Sequence, residues 1–455
     1  MSDVSILTNG VLVTGGLNSR IITGGAVAWR GDRIIEVGEG GVCFAKYPEA
    51  RLLDAGGGLI LPGLVNIHHH FYSALARGLN PSPPMRDFPE ILDRLWWRLD
   101  RALDPEAIRV SALLSAADCI RWGCTTVFDH HASPTCIEGS LDLIGGAIEA
   151  AGLSAVLCYE VTDRNGHDGA LIGIEENLRF LRERRDDARV RGVFGVHASF
   201  TVRDETLALI ARERPPDAGC HIHVAEDPLD VRVSVETFGR GPLQRLERVG
   251  LLDRRALLAH GIHLKEADYR MAAEAGATLI HNPESNANNG VGRLDVSRVS
   301  GLDCRVGLGT DGMSSAMLRS LRFAFLSMRG ATRDPSSGFA ALPGLLAENA
   351  VVAREFFDEP LLGELVPGAP ADIIAVDSAP PTPLAKENLF GHLVYGASEA
   401  PVRHTVARGN VLLEEFRHTT LDPKELARTA REVAPALWER FHALEWNTPY
   451  LGPQT

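Results

Sequence analysis

Leu61-Pro62-Gly63-Leu64-Val65-Asn66-Ile67-His68-His69-His70-Phe71-Tyr72 joins two apolar runs through a Pro-Gly break and ends the second in three histidines. Residues 64–67 are too apolar to alternate and read as a buried strand of the parallel kind. Strand side chains point alternately to opposite faces, so His68 and His70 share one face and His69 takes the other. Two imidazoles so placed can both reach one metal ion, and zinc and its neighbours accept neutral imidazole nitrogen readily. A polar strand end whose histidines bond to loops would carry the same letters. The rest of the chain has to separate the two readings.

Seven more short apolar runs repeat the pattern. Residues 125–128 lead into Asp129-His130-His131, 155–159 into Glu160, 192–196 into His197 and 221–225 into Glu226. Residues 256–259 lead into His260, 277–280 into His281 and 305–309 into Thr310-Asp311. Helical stretches such as 107–122 separate them. Eight strands spread over about 250 residues predict an α/β fold of the (β/α)₈ TIM-barrel type. Barrel enzymes place their chemistry at the C-terminal strand ends, where His, Asp and Glu cluster here. Residues of purely structural use would be scattered along the strands.

β character flanks this region. Residues 4–13 and 26–37 read as β, with a hairpin turn at Gly31-Asp32. It returns at 366–376 and 402–413. The expectation is a small β-sandwich domain built from 1–60 and 365–415, a barrel at 61–364 inserted between its halves, and a C-terminal helix and tail at 416–455. Asp422-Pro423-Lys424-Glu425 is a helix start, with Asp as N-cap, Pro at N1 and Glu at N3. Leu426, Ala430, Val433, Leu437 and Phe441 then give one apolar stripe, expected to pack. A Pro-rich loop after Tyr72 runs into Leu95-Trp96-Trp97-Arg98-Leu99, read either as a lid over a pocket (81–99) or as an ordinary packing helix.

Composition narrows the partners. The 455 residues are 45% apolar, enough for a large core, and carry a formal net charge of −13. That balance argues against nucleic acid or an anionic membrane. Met1-Ser2-Asp3-Val4 lacks the character of a signal peptide, and no apolar stretch is long enough to span a bilayer. Seven scattered cysteines without a Cys-x-x-Cys pair fit reduced thiols in a cytoplasmic protein. They also exclude a zinc site built on Pro-Cys-x-x-Cys. Oligomeric state stays open, although an apolar helix at 107–122 could serve a homodimer.

The Pro-Gly-Leu-Val-Asn-x-His-x-His segment resembles the first strand of the amidohydrolase superfamily. His223-Val224-Ala225-Glu226, Leu258-Ala259-His260-Gly261, His281-Asn282-Pro283 and Gly309-Thr310-Asp311-Gly312 resemble its later motifs, in order. The likeness runs from about residue 4 to 413 and is strongest to the aminohydrolase (deaminase) branch. His69-His70-Phe71-Tyr72, Leu95-Trp96-Trp97-Arg98-Leu99-Asp100 and Asp129-His130-His131-Ala132-Ser133-Pro134 look like the SsnA-type aminohydrolases.

The resemblance implies one divalent metal, zinc first and iron or manganese as alternatives, held by His68, His70, His223 and Asp311. Three neutral imidazoles and one carboxylate would leave a net positive centre that acidifies bound water. No lysine stands at the third or fourth strand end, so a bridging carboxylated lysine with two metals is not expected. Glu226 matches the proton shuttle, His260 the residue that orients water or polarises substrate, and His197 a substrate-binding histidine. Asp311 is also expected to accept a proton. His69 and His221 are expected to face away from the lumen in structural roles. One of His130 and His131 should face the site, and His131 joins Ser73, Glu160 and Arg164 as candidate substrate contacts; Asp163 is a weaker candidate. Similar 8-oxoguanine deaminases carry Gln where this chain has Ser73, which argues against that substrate. The expected reaction is hydrolytic deamination of an amino-substituted nitrogen heterocycle by water. Hydrolysis of a cyclic amide or of a chloro- or alkylamino-triazine on the same site is the alternative, and a non-enzymatic scaffold of the same fold is a third reading.

Overall fold

The computed structural model describes residues 3–16 and 19–451. Residues 1–2 of the leader reading and 452–455 of the tail lie outside them. The chain opens with β1 (Val4–Val13), β2 (Ile21–Arg30), β3 (Arg33–Glu39), β4 (Arg51–Asp54) and β5 (Leu59–Pro62). Arg30 pairs with Arg33, so Gly31-Asp32 is a two-residue hairpin loop, as expected. Gly31 has φ +56°, a state that costs glycine nothing sterically.

The parallel strands follow: β6 (Leu64–His69), β7 (Cys124–His131), β8 (Ser154–Tyr159), β9 (Val190–Gly192), β10 (Phe194–Ala198), β11 (Cys220–Val224), β12 (Ala256–His260), β13 (Thr278–His281) and β14 (Arg305–Leu308). They pair as β6-β7-β8-β9 and β10-β11-β12-β13-β14. Isolated parallel bridges, Val161 with Val196 and His69 with Asp311, link the two sheets at both edges. Every residue of β6, β7 and β8 is buried. Burial on both faces is the reason these strands read as unbroken apolar runs. Gly309 shows how tight the strand ends are: a Cβ there would lie 2.3 Å from Asn282 Oδ1 and 2.8 Å from His68 Cβ.

The chain then returns to β15 (Ile373–Val376), β16 (Val402–Ala407), β17 (Asn410–Glu414) and β18 (Arg417–His418). β5 pairs antiparallel with β15, so strands from both ends of the chain share one mixed sheet of nine. Hydrogen bonding runs through all nine strands, and the pairing does not define the two separate layers of the expected sandwich.

Helix Pro105–Arg121 starts on Asp104, whose side chain caps Ala107 N. Ala107, Ile108, Val110 and Ala116 are fully buried, while Leu113 and Leu114 are half-buried. Helices Ser140–Ala151 and Pro423–Ala443 pack against this helix. In Pro423–Ala443, Asp422 accepts from Lys424 N and Glu425 N, and Val433, Leu437 and Phe441 are buried. No helix among the described residues is long and apolar enough to cross a membrane.

Candidate metal and active site

β6 delivers His68, with His70 directly beyond it; β11 delivers His223, and Asp311 follows β14. Their ligand atoms all lie within 4.8 Å of one another. Asp311 Oδ1 is 3.1 Å from His70 Nε2 and 3.6 Å from His68 Nε2. Asp311 and His260 hold left-handed backbone, φ +55° and +74°, uncommon outside glycine and a frequent mark of functional sites. Asp311 N donates to His68 O at 3.0 Å, which ties the last strand end to the first.

The hydrogen bonds on the far side of each ring fix which nitrogen is free. His70 Nδ1 lies 2.6 Å from His130 O and His223 Nδ1 lies 2.7 Å from His197 O. A carbonyl only accepts, so both Nδ1 atoms donate and both Nε2 atoms carry lone pairs. These two Nε2 atoms face each other at 3.1 Å. His68 Nε2 is buried without a partner. Three inward lone pairs beside a carboxylate repel one another until a cation or proton lies between them, so the donor set fits a divalent metal. Burial alone would lower the His70 imidazole, but the hydrogen bond and charge of Asp311 push it up to about 9. Burial would raise Asp311, yet His68 and His70 hold it well below the usual carboxylate range.

Next to this cluster sit Glu226 and His260. His260 Nδ1 lies 2.8 Å from Asn286 Oδ1, leaving Nε2 3.4 Å from Glu226 Oε2 and 3.8 Å from Asp311 Oδ2. Glu226 Oε1 accepts from Asn289 Nδ2 at 3.2 Å. Burial, with the Asp311 charge adding to it, pushes the Glu226 carboxyl up to about 7. A carboxyl there can both hold and release a proton near neutrality. Ser285 donates to Asp311 Oδ2 at 2.5 Å. Asn286, Asn289 and Ser285, in and just after helix Pro283–Asn288, were not singled out from the sequence. The polar run after His281-Asn282-Pro283 was their only signal.

A cavity opens over the cluster. His70, His223, Glu226 and Asp311 line its base, Glu160 and His197 one side, and Phe88, Leu92, Trp96, Trp97 and Phe200 the apolar wall. The 88–102 segment therefore forms part of the cavity roof, in keeping with the pocket-covering expectation.

Several sequence expectations land elsewhere. His221 shares parity with His223, so alternation puts both on one face, and His221 Nε2 lies 2.9 Å from His68 Nδ1. It supports a ligand histidine and does not face away. His69 does turn away, with Nε2 3.3 Å from Ser315 Oγ. His130, not His131, faces the cluster: its nitrogens lie 3.2 Å from Glu160 Oε2 and 3.1 Å from His221 O. His131 Nε2 instead lies 3.0 Å from Ser133 Oγ, off the cavity lining. Ser73 donates to His70 O at 2.8 Å and is not on the lining either, because that bond turns its hydroxyl into the chain. Arg164 lies behind the wall, 3.3 Å from Glu160 Oε1. Asp163 is used within its loop, accepting from Arg203 N and Thr206 Oγ1.

The model of the Amidohydrolase family matches residues 59–412. The 5-methylthioadenosine/S-adenosylhomocysteine deaminase of Desulforudis audaxviator is 31% identical over 425 residues, 91% of this chain and 95% of its own length. Among solved structures, an adenosine deaminase from Xanthomonas campestris with bound zinc superposes with a TM-score of 0.83 at 22% identity, covering 96% of this chain and 98% of that one. Atrazine chlorohydrolase from Arthrobacter aurescens TC1, also with zinc, gives 0.76 at 20% identity, covering 94% and 100%. The two structures share the fold; the matched family model and the relative's near-full overlap carry the assignment, and on them this chain belongs to the amidohydrolase family.

Proposed function

We propose that the chain is a metal-dependent hydrolytic deaminase that removes an amino group from a nitrogen heterocycle and releases ammonia. The observation that carries this is the meeting of the His68, His70, His223 and Asp311 donor set with the Glu226–His260 pair at the base of one cavity. A single zinc ion held by those four residues, with iron or manganese as substitutes, is part of the proposal. So are a closed eight-stranded barrel, in which β9 and β10 count as one strand interrupted at Val193, and the division at 1–60, 61–364, 365–415 and 416–455. The relative's deaminase activity supports the reaction class.

A bound divalent ion supplies Lewis acidity and water of lowered pKa. Asp311, an anion beside the reacting water, can take one of its protons. Glu226, poised near neutrality, gives its proton to the ring nitrogen, then picks up the proton released by the added water oxygen and passes it to the departing amino group; the proton left on Asp311 restores Glu226. His260, fixed by Asn286 with a free Nε2, accepts a hydrogen bond from the water and orients it. His197 and Glu160 bound the space the ring occupies. The apolar roof excludes bulk water, which strengthens each of these interactions.

The test is ammonia release by the zinc-loaded protein across aminopurines, aminopyrimidines, pterins and aminotriazines. The proposal expects ammonia from at least one ring class. Chloride or alkylamine as the product, with no ammonia, contradicts it.

A further inference from the structure

The roof of the cavity carries two buried polar atoms that the reaction does not use. Trp97 and Asp100 are each 1% exposed and both line the cavity. They stand three residues apart in helix Trp97–Ala102 and so share a face. Trp97 Nε1 and Asp100 Oδ1 have no hydrogen-bond partner. Buried donors and acceptors are nearly always paired, so two orphans on one cavity wall point to a ligand.

Their surroundings say which kind. Arg164 faces Asp100 Oδ2 at 3.5 Å, lies 3.3 Å from Glu160 Oε1 and sits 4.5 Å from the Trp97 ring centroid. A guanidinium only donates, so Oδ2 is engaged as an acceptor and Oδ1 is where a neutral Asp100 carries its proton. Burial and the Glu160 charge push Asp100 up to about 8. Burial would raise Glu160 as well, but His197, His130 and Arg164 pull it down to about 2. Two carboxyls with separated titrations take different roles: Glu160 stays an anion and Asp100 stays an acid. At neutral pH the wall therefore offers two donors, the Asp100 O–H and the Trp97 N–H. The His197 ring lies 5.6 Å from the His223 ring and 6.2 Å from the Trp97 ring, so it stands between the pair and the cluster.

We infer that Asp100 and Trp97 form a specificity subsite that donates hydrogen bonds to a neutral acceptor, a ring carbonyl oxygen above all, on the substrate edge away from the departing amino group. The carbonyl has two lone pairs and can take both donors. The Glu160 anion beside them disfavours a carboxylate or phosphate. The inference rests on the deaminase reading for the words "departing amino group", but the subsite can be tested without turnover.

Calorimetry on the zinc-loaded full chain would compare purine with hypoxanthine, which adds a ring carbonyl and a ring N–H, and with 1-methylhypoxanthine, which keeps the carbonyl without that N–H; none has an amino group to lose, and a preference confined to hypoxanthine would overturn the subsite. Hypoxanthine should bind at least ~10-fold more tightly, the discrimination of a site whose polar groups go unpaired without the carbonyl. Asp100→Leu and Trp97→Phe should each shrink that ratio, and Asp100→Asn, which keeps a donor in place, should retain most of it. Equal affinities in the unmodified protein, undetectable binding of both, or an unchanged ratio in Asp100→Leu would overturn the subsite. Ammonia assays on guanine with 2-aminopurine, and on cytosine with 4-aminopyrimidine, report separately. A hypoxanthine preference shared by 1-methylhypoxanthine, without ammonia from any ring, would uphold the subsite and overturn the deaminase reading.

Discussion

Glu160 and Glu226 occupy comparable places, each just beyond the end of a buried strand on the same cavity, yet their carboxyls behave oppositely. Burial pushes both upward. Around Glu160, His197, His130 and Arg164 overcome it and the carboxyl falls to about 2. Around Glu226 the neighbours are Asn289, His260 and the Asp311 anion, and the carboxyl rises to about 7. Burial alone therefore does not make a proton shuttle. Glu226, the proposed shuttle, pairs with no arginine or lysine among the described residues, whereas Glu160 has Arg164 at 3.3 Å and His130 bonded to the same carboxylate.

The comparison can be broken at its strongest point first. Asp311→Asn removes the charge that holds His70 and raises Glu226. Stoichiometric metal should be lost and turnover should fall by ~10³-fold or more, read by metal analysis and steady-state kinetics. On the other side, Glu160→Gln takes the anion from His130 and leaves Arg164 with only the Asp100 carboxyl. It should cost about 3 kcal/mol in chemical denaturation, the range for breaking a buried ion pair. The sign with pH follows from the depressed titration. Glu160 contributes its stability above the ordinary value of 4.5 and loses it as pH falls toward about 2. The gap between unmodified protein and Glu160→Gln should therefore narrow over that window, and a gap that widens on acidification would contradict the pairing. A smaller effect is expected from His221→Phe, which removes the partner of His68 Nδ1: metal affinity should drop ~10–100-fold in a chelator competition. Smallest, Asn289→Ala takes away the donor that favours ionised Glu226. The Glu226 carboxyl should titrate higher still, moving the alkaline limb of the pH–rate profile, where Glu226 loses the proton it delivers, to higher pH while metal content stays the same.

Much of this was legible in the sequence because it is periodic. Strands buried on both faces give unbroken apolar runs, and chemistry at barrel-type strand ends puts His, Asp and Glu at their C-terminal limits. His68, His70, His223, Glu226, His260 and Asp311 follow from that pattern together with the family resemblance, and the structure gathers them at one place. What failed was whatever depends on a neighbour distant in the chain. The reading of His221 neglected that it has the parity of His223. The choice between His130 and His131 turns on Glu160 and on the His221 carbonyl, both on other strands. Ser73 reads as a site residue by position, but its hydroxyl is used by His70 O. Asn286 and Asn289 orient the two groups next to the His/Asp cluster from a short helix and its C-terminal end, whose letters look like ordinary turn chemistry. The two ends of the chain do share one β unit, as the returning β character predicts, but its strand order leaves no local mark in the sequence.

The central claim is that Glu226 moves the proton while the four-residue cluster holds the metal. Its most direct test is the ammonia turnover of Glu226→Gln in protein whose zinc content matches the unmodified chain. Glutamine keeps the shape and the contact with Asn289 but cannot carry the proton. The account predicts that turnover falls ~10³-fold with metal retained. Turnover near that of the unmodified protein, at full metal occupancy, would contradict it.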